Sequence, residues 1–213
     1  MRILFLCALA SMLTACGGGF NSAANSGATS AVPSTYLKYV EASPNGWTGA
    51  CAPGGAHNLI LDFSASGDVL YLDLHSYDSA DTNCSGPRVL PSARLGFLAT
   101  GEQLSGQTYY VTFTLTKIAS MVNTPTLASY ANSVVDANEY PGVTGWCGLT
   151  DWSVGSWRDV TSTICWSFDD GDTIGTGDLS SITFPTALNH GGVMQFEARG
   201  NQLATDYGLL TRK

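Results

Sequence analysis

The sequence predicts an all-β domain: an antiparallel barrel or sandwich of about eight strands with at most one short helix. Three observations lead there. Apolar and polar residues alternate with a period of two in several runs. Gly, Ser, Asn and Asp cluster between those runs. Only one segment carries apolar residues at helical spacing.

Residues 57–63 (HNLILDF) and 69–77 (VLYLDLHSY) flank a Ser-Ala-Ser-Gly-Asp turn and read as a hairpin. Pairing Ser64 with Val69 sets Phe63 against Leu70, Leu61 against Leu72 and Leu59 against Leu74. Six apolar side chains then share one face, and Asn58, Ile60, Asp62, Tyr71, Asp73 and His75 take the other. A slip of one residue would mix the faces, so burial selects this register.

Residues 109–118 (YYVTFTLTKI) form a second clear strand, with Tyr109, Val111, Phe113 and Leu115 inward and Tyr110, Thr112, Thr114 and Thr116 toward solvent. A closing hairpin brings Met194, Phe196 and Ala198 opposite Tyr207, Thr205 and Leu203 across an Arg-Gly-Asn-Gln turn. Further strands are expected at 36–41, 88–98 and 160–168. The helical segment is 124–136, where Thr124 can cap, Pro125 suits the first turn, and Leu127, Tyr130, Ala131, Val134 and Val135 recur at three and four.

Ahead of this domain the chain opens with Arg2 and an apolar run over residues 3–13, shorter than the roughly 20 residues a bilayer-spanning helix needs. It reads as the core of an export signal. The run ends in Leu13-Thr14-Ala15-Cys16, which resembles the lipobox of bacterial lipoproteins. That resemblance implies removal of residues 1–15, acylation of Cys16 and anchoring of the mature chain to a membrane of the cell envelope. Gly17, where an aspartate would resemble the inner-membrane retention signal of enteric bacteria, favours the outer membrane.

Residues 17–34 are mostly Gly, Ser, Ala and Asn with one aromatic and no charge, a composition that does not bury enough surface to order itself. Residues 16–34 are therefore expected to be the lipidated cysteine and a flexible tether, spanning about 20 to 25 Å. Residues 35–213 suit a single domain with a real core. Once Arg2 is removed, eight basic residues face seventeen acidic ones, a net charge of −9. Nucleic acid is an unsuitable partner for such a chain, because phosphate binding relies on clustered Lys and Arg.

Cys7 leaves with the signal and Cys16 takes lipid, so Cys51, Cys84, Cys147 and Cys165 remain in an oxidising compartment and are expected to form two disulfides. Cys51 with Cys84 and Cys147 with Cys165 each bracket a local strand unit, which favours those pairs among three possible connectivities. Gaps of 32 and 17 residues lack the short spacing of a thiolate zinc site, and no metal or cofactor is expected.

Gly46-Trp47 ahead of Cys51, the hairpin over residues 57–77, the cysteine in Asp81-Thr82-Asn83-Cys84 and the Gly200-Asn201-Gln202-Leu203 turn together resemble the lipocalin-like domains of exported bacterial proteins. The resemblance implies an up-and-down barrel around an apolar cavity. The Trp-rich segment 140–168 has no counterpart in that pattern.

Tyr140, Trp146, Trp152, Trp157 and Trp166 are the candidate ligand-binding residues. Exposed, such a row stacks on sugar rings or lines a cavity; buried beside Cys147 and Cys165, it is core packing. Asp169, Asp170, Asp172 and Asp178 invite a calcium reading, but counting from Asp170 puts Ile174 at the fifth position and no closing Glu follows, so an acidic turn is the better reading. His57 and His75 fall on opposite faces of their hairpin, which argues against a two-histidine metal site, and His190 is the only other histidine. The nearest approach to a nucleophile elbow, Asp151-Trp152-Ser153-Val154-Gly155, has Asp where the first Gly belongs. Glu139, Asp151 and Asp159 could pair for glycoside cleavage, but no nucleophile, base and orienter are arranged together, and no catalytic residue is assigned.

These readings make the chain a membrane-anchored binding or interaction module, with a small apolar ligand, a glycan or an envelope protein as partner. A structural or adhesive surface protein without a pocket is the first alternative, and a glycan-active enzyme the second.

Overall fold

Period-two alternation closes on itself here into a barrel. The computed structural model describes residues 43, 45–54, 57–135, 142–161, 163–166, 181–183 and 191–213. In chain order the elements are β1 (Trp47–Thr48), β2 (Ala52–Gly54), β3 (His57–Ser66), β4 (Val69–Tyr77), β5 (Ser92–Ser105), β6 (Thr108–Met121), α1 (Pro125–Ser133), β7 (Arg158–Asp159), β8 (Ile164–Trp166), β9 (Ser181–Thr183), β10 (Gly191–Arg199), β11 (Gln202–Thr205) and β12 (Gly208–Arg212). Ten strands form one sheet. β2 pairs with β3 and β7 pairs with β6, while the other eight run β1-β12-β11-β10-β6-β5-β4-β3 and return to β1, every pairing antiparallel. The all-β barrel expected from the sequence is thus the fold, and β8 and β9 form a separate hairpin.

Alternation decides which side chains fill the barrel. Val111, Phe113 and Leu115 of β6 are buried while Thr112 and Thr116 stand in solvent, as the pattern requires. A bulge follows, where Gly96 pairs with Lys117 but Phe97 with Leu115. Thr116 and Lys117 therefore both face out, and Ile118 returns to the core.

The β3–β4 register differs from the expected one by two residues. Ser66 pairs with Val69, so Phe63 faces Leu72, Leu61 faces Leu74 and Leu59 faces Ser76. The cause is the turn. Gly67 at φ 59° allows Gly67-Asp68 to close the hairpin in two residues, so the ladder zips two pairs further than a four-residue loop permits. A shift of two preserves parity, so the two faces keep their expected residues.

The closing hairpin has the expected register at Phe196–Thr205 and Ala198–Leu203, but β11 ends at Thr205 and the Met194–Tyr207 pair is absent from its ladder. Tyr207 lies in the turn, its ring 5.8 Å from that of Phe63. The strand expected at 88–98 begins later, at Ser92, and runs on to Ser105. Of 160–168, Ile164–Trp166 is strand; the strand expected at 36–41 lies outside the described residues.

α1 starts where the capping signal put it. Thr124 accepts a hydrogen bond from the Leu127 N–H at 3.1 Å, and Pro125 opens the first turn. It ends at Ser133 rather than 136, because Val134 turns to extended backbone, its carbonyl accepts the Gly145 N–H at 2.7 Å, and Val135 bridges Thr144. Both favoured disulfides are formed, Cys51–Cys84 and Cys147–Cys165.

Strand direction gives the barrel two unlike ends. Among the described residues, one carries the two-residue turns Gly67-Asp68, Gly106-Gln107 and Gly200-Asn201, and there the chain also enters at β1 beside the terminal Lys213. The other end carries the disulfide-tied segment between β4 and β5 and the long insertion between β6 and β10. Leu127, Ala131, Trp146, Trp152 and Val160 of that insertion belong to the same apolar cluster as the barrel interior, so the core continues beyond this end.

Candidate functional site

Three regions can carry function: the barrel interior, the outer wall over β3–β5, and the tryptophan-rich insertion. The interior is packed with aromatic rings. Phe113 sits between Phe97 and Phe196, with centroids 6.2 and 6.1 Å away and both contacts edge-on. Phe63, Leu70, Leu115, Ile118, Leu203 and Leu210 fill the space around them, each almost wholly buried. An eight-stranded barrel is just wide enough either to be filled by side chains or to hold one small ligand.

The outer wall holds a buried polar network that no motif in the sequence announces. His75 is 4% exposed and Ser92 is 0% exposed, and His75 Nδ1 lies 2.7 Å from Ser92 Oγ. On its other side His75 Nε2 lies 3.3 Å from Asp62 Oδ2. Serine, histidine and aspartate in a row suggest nucleophilic catalysis, but the serine is sealed inside the wall. Asn123 donates its amide to the Leu90 carbonyl at 2.6 Å, leaving its Oδ1 to accept from the Ser92 hydroxyl at 3.2 Å. The full burial of Ser92 closes its Oγ to any substrate. This trio ties β3, β4 and β5 together.

The same wall solves an electrostatic problem. Asp62 and Asp73 pair directly across β3 and β4, and facing like charges destabilise a sheet. Each has its own cation. Arg94 grips Asp73 with two hydrogen bonds of 2.7 and 2.6 Å and lies between the rings of Tyr71 and Trp157, at 5.4 and 4.2 Å. Asp62 takes His75 and the Lys213 ammonium. Burial alone would raise the Asp62 carboxyl, but hydrogen bonds from His75, Lys213 and Thr48 outweigh it and hold the group at about 2. His57 and His75 lie on opposite faces of β3–β4, and among the described residues no group of three or more His, Cys, Asp or Glu is placed to hold a metal.

The candidate tryptophans separate. Trp146 and Trp152 are buried, with rings 4.9 Å apart, and Trp152 Nε1 donates to the Trp146 carbonyl at 3.1 Å. Asn132 of α1 fixes the loop from the other side, its amide donating to the Trp152 carbonyl at 2.9 Å and accepting from the Trp152 N–H at 2.7 Å. The pair packs with the Cys147–Cys165 bridge in the core cluster, so it is closed to a ligand in solution. Trp157 is half-buried and covers Arg94. Tyr140 and the side chain of Trp166 lie outside the described residues, as do Glu139, His190, the acidic stretch 169–172, Asp178 and Cys16, the expected lipidation site.

The two described carboxylates of the glycosidase reading are ion-paired, Asp151 with Arg158 and Asp159 with Lys117. The hydrogen bond from Arg158 lowers the first carboxyl, and that from Thr161 lowers the second. A general acid for glycoside cleavage needs the opposite shift. Ser153 of the near-elbow is exposed on an open loop.

Sequence alternation already placed Asp62 and His75 on one face, which was the one available signal for the wall network. Ser92, Asn123 and Lys213 join it through contacts distant in the chain. Compared with known proteins, the chain matches no family model and no curated protein.

Proposed function

We propose that the chain is a bacterial envelope lipoprotein, anchored through Cys16 and favouring the outer membrane, whose barrel is a small-molecule binding module working through its open end. The observation that carries this reading is the asymmetry of the barrel. One end is continuous with a disulfide-bonded apolar insertion, whereas among the described residues the hairpins at the other close in two-residue turns that are too short to fold over the opening. A rigid wall with one approachable end is how small barrels present a ligand site. The packed Phe97–Phe113–Phe196 row confines a ligand to the mouth. The same row supports a second reading, a structural or adhesive surface protein that holds no ligand.

Native mass spectrometry of the full chain, purified in detergent from its own host, tests the two. A small molecule retained at one per chain is the expected result. A ligand-empty chain across several detergents would favour the adhesive reading.

A further inference from the structure

Beyond the packed core, one described acidic side chain stands on the inner wall near the open end. Register puts Glu102 of β5 opposite Val111, and Val111 is fully buried inside the barrel, so Glu102 stands on the concave face. Two residue pairs nearer the tip, Leu104 faces Tyr109 on that same face, yet Leu104 is 55% exposed. Ala198, which pairs with buried Leu203, is exposed as well. These residues form a rim above a floor of Val111, Phe196 and Leu203.

Glu102 Oε2 is buried there and has no hydrogen-bond partner. A carboxylate oxygen withdrawn from water needs a donor or a proton. The basic side chains described around this end are engaged elsewhere: Arg199 binds Glu197, Lys213 binds Asp62, and Arg212 lies over Trp47. A single carboxylate falls short of the six to eight oxygens of a calcium site.

We propose that the mouth of the barrel binds a primary organic ammonium with a short apolar tail, the ammonium donating to Glu102 and the tail lying against Leu104 and Ala198. The proposal rests on the open-end reading above and names its ligand class. Ammonium N–H groups satisfy an acceptor-only carboxylate, and the apolar rim selects an alkyl substituent over a bare ion. Such a group occurs on a free amine and on an amine lipid headgroup.

The test is calorimetric titration of the full chain in detergent with n-hexylammonium chloride, with n-hexanol as the neutral control. Saturable one-to-one binding of the ammonium, no matching binding of the alcohol, and affinity at least about tenfold weaker in Glu102→Gln support the site. Competition by phosphatidylethanolamine but not phosphatidylglycerol vesicles would assign the lipid source, and competition by neither would assign a free amine. No saturable binding, equal binding of hexanol, or an unchanged Glu102→Gln overturns the proposal. Thermal unfolding gives a second readout, because Glu102→Gln removes a carboxyl group with one buried, unpartnered oxygen. Without ligand its Tm should rise at neutral pH, and a fall would mean that the protein itself satisfies Glu102. If hexylammonium fails while the chain retains another molecule in native mass spectrometry, the amine assignment falls and the binding module stands.

Discussion

His75 Nε2 stands 3.3 Å from Asp62 Oδ2 on the outside of the barrel, beside the seam where β1 joins β12 to β3. β1 contributes two residues to that seam, so closure depends on few backbone pairs. Lys213 reinforces it, donating its backbone N–H to the Gly46 carbonyl at 3.2 Å and its ammonium to Asp62. Asp62 is thus an electrostatic latch on the weakest join in the ring.

Asp62→Asn should lower stability at pH 7 by about 1 to 2 kcal/mol, allowing for solvent screening of a partly exposed pair. The folded-state carboxyl sits at about 2 against an ordinary 3.8, so the folded chain takes up this proton less readily than the unfolded one. Its stabilisation is complete above the ordinary value and is lost as pH falls toward 2. Denaturant unfolding of both proteins between pH 7 and pH 2 checks this: the difference should shrink as the pH falls. A difference that stays constant would assign Asp62 a packing role.

Phe113→Ala should cost about 3 to 5 kcal/mol, because the ring lies between Phe97 and Phe196 in a filled interior. Equilibrium unfolding measures it. A loss below about 1 kcal/mol would mean that the ring borders a space able to hold something else, which would return the ligand to the barrel centre.

Much of this interior was legible from residue order, and the reason is geometric. A strand has a period of two, so Val111, Phe113 and Leu115 had to share a face whatever their partners, and the same rule put Leu61, Phe63, Leu70 and Leu72 together. Parity survives an error of two residues, so the β3–β4 faces were correct while their pairs were not. The outer-wall network was not legible beyond Asp62 and His75. Ser92 and Asn123 reach it from β5 and the end of β6, Lys213 through the barrel's closure, and no local pattern encodes a contact between residues 62 and 213. The tryptophans show the same limit. Their nearness to Cys147 and Cys165 was visible, but which ring is buried and which covers Arg94 depends on how the insertion folds against the barrel.

Each disulfide should contribute about 3 to 4 kcal/mol on the loop-entropy relation, since the cysteines are 33 and 18 residues apart. The double variant Cys51→Ser with Cys84→Ser, followed by chemical denaturation, measures the first directly. Thiol labelling of the unreduced chain should find none of Cys51, Cys84, Cys147 or Cys165 reactive.

Gly145→Ala should destabilise by more than about 1 kcal/mol. Its backbone is at φ 83°, and an added Cβ would lie 2.0 Å from the Leu149 carbonyl oxygen. Gly106→Ala is the matched control, also left-handed at φ 63° but with nothing within 4 Å of the new carbon. The difference between the two losses isolates the collision from the backbone strain, and equal losses would show that the Leu149 carbonyl moves aside for the added carbon.

Cys16→Ser tests the anchor on which the envelope reading depends. Leu13-Thr14-Ala15-Cys16 presents small residues before a thiol, and serine keeps the size of that side chain while removing the sulfur that would accept a diacylglycerol group under the lipobox reading. Two or more acyl chains hold a protein far more firmly than one reversible chain, at about 0.8 kcal/mol per buried methylene, so losing them should move the chain from the detergent phase to the aqueous phase or leave it unprocessed with residues 1–15 attached. No described helix is long and apolar enough to span a membrane in their place. Detergent-phase partitioning and intact mass on both proteins separate the outcomes. A Cys16→Ser chain that is cleaved yet still partitions with membranes would show that attachment comes from the barrel itself, and the lipobox reading would fall.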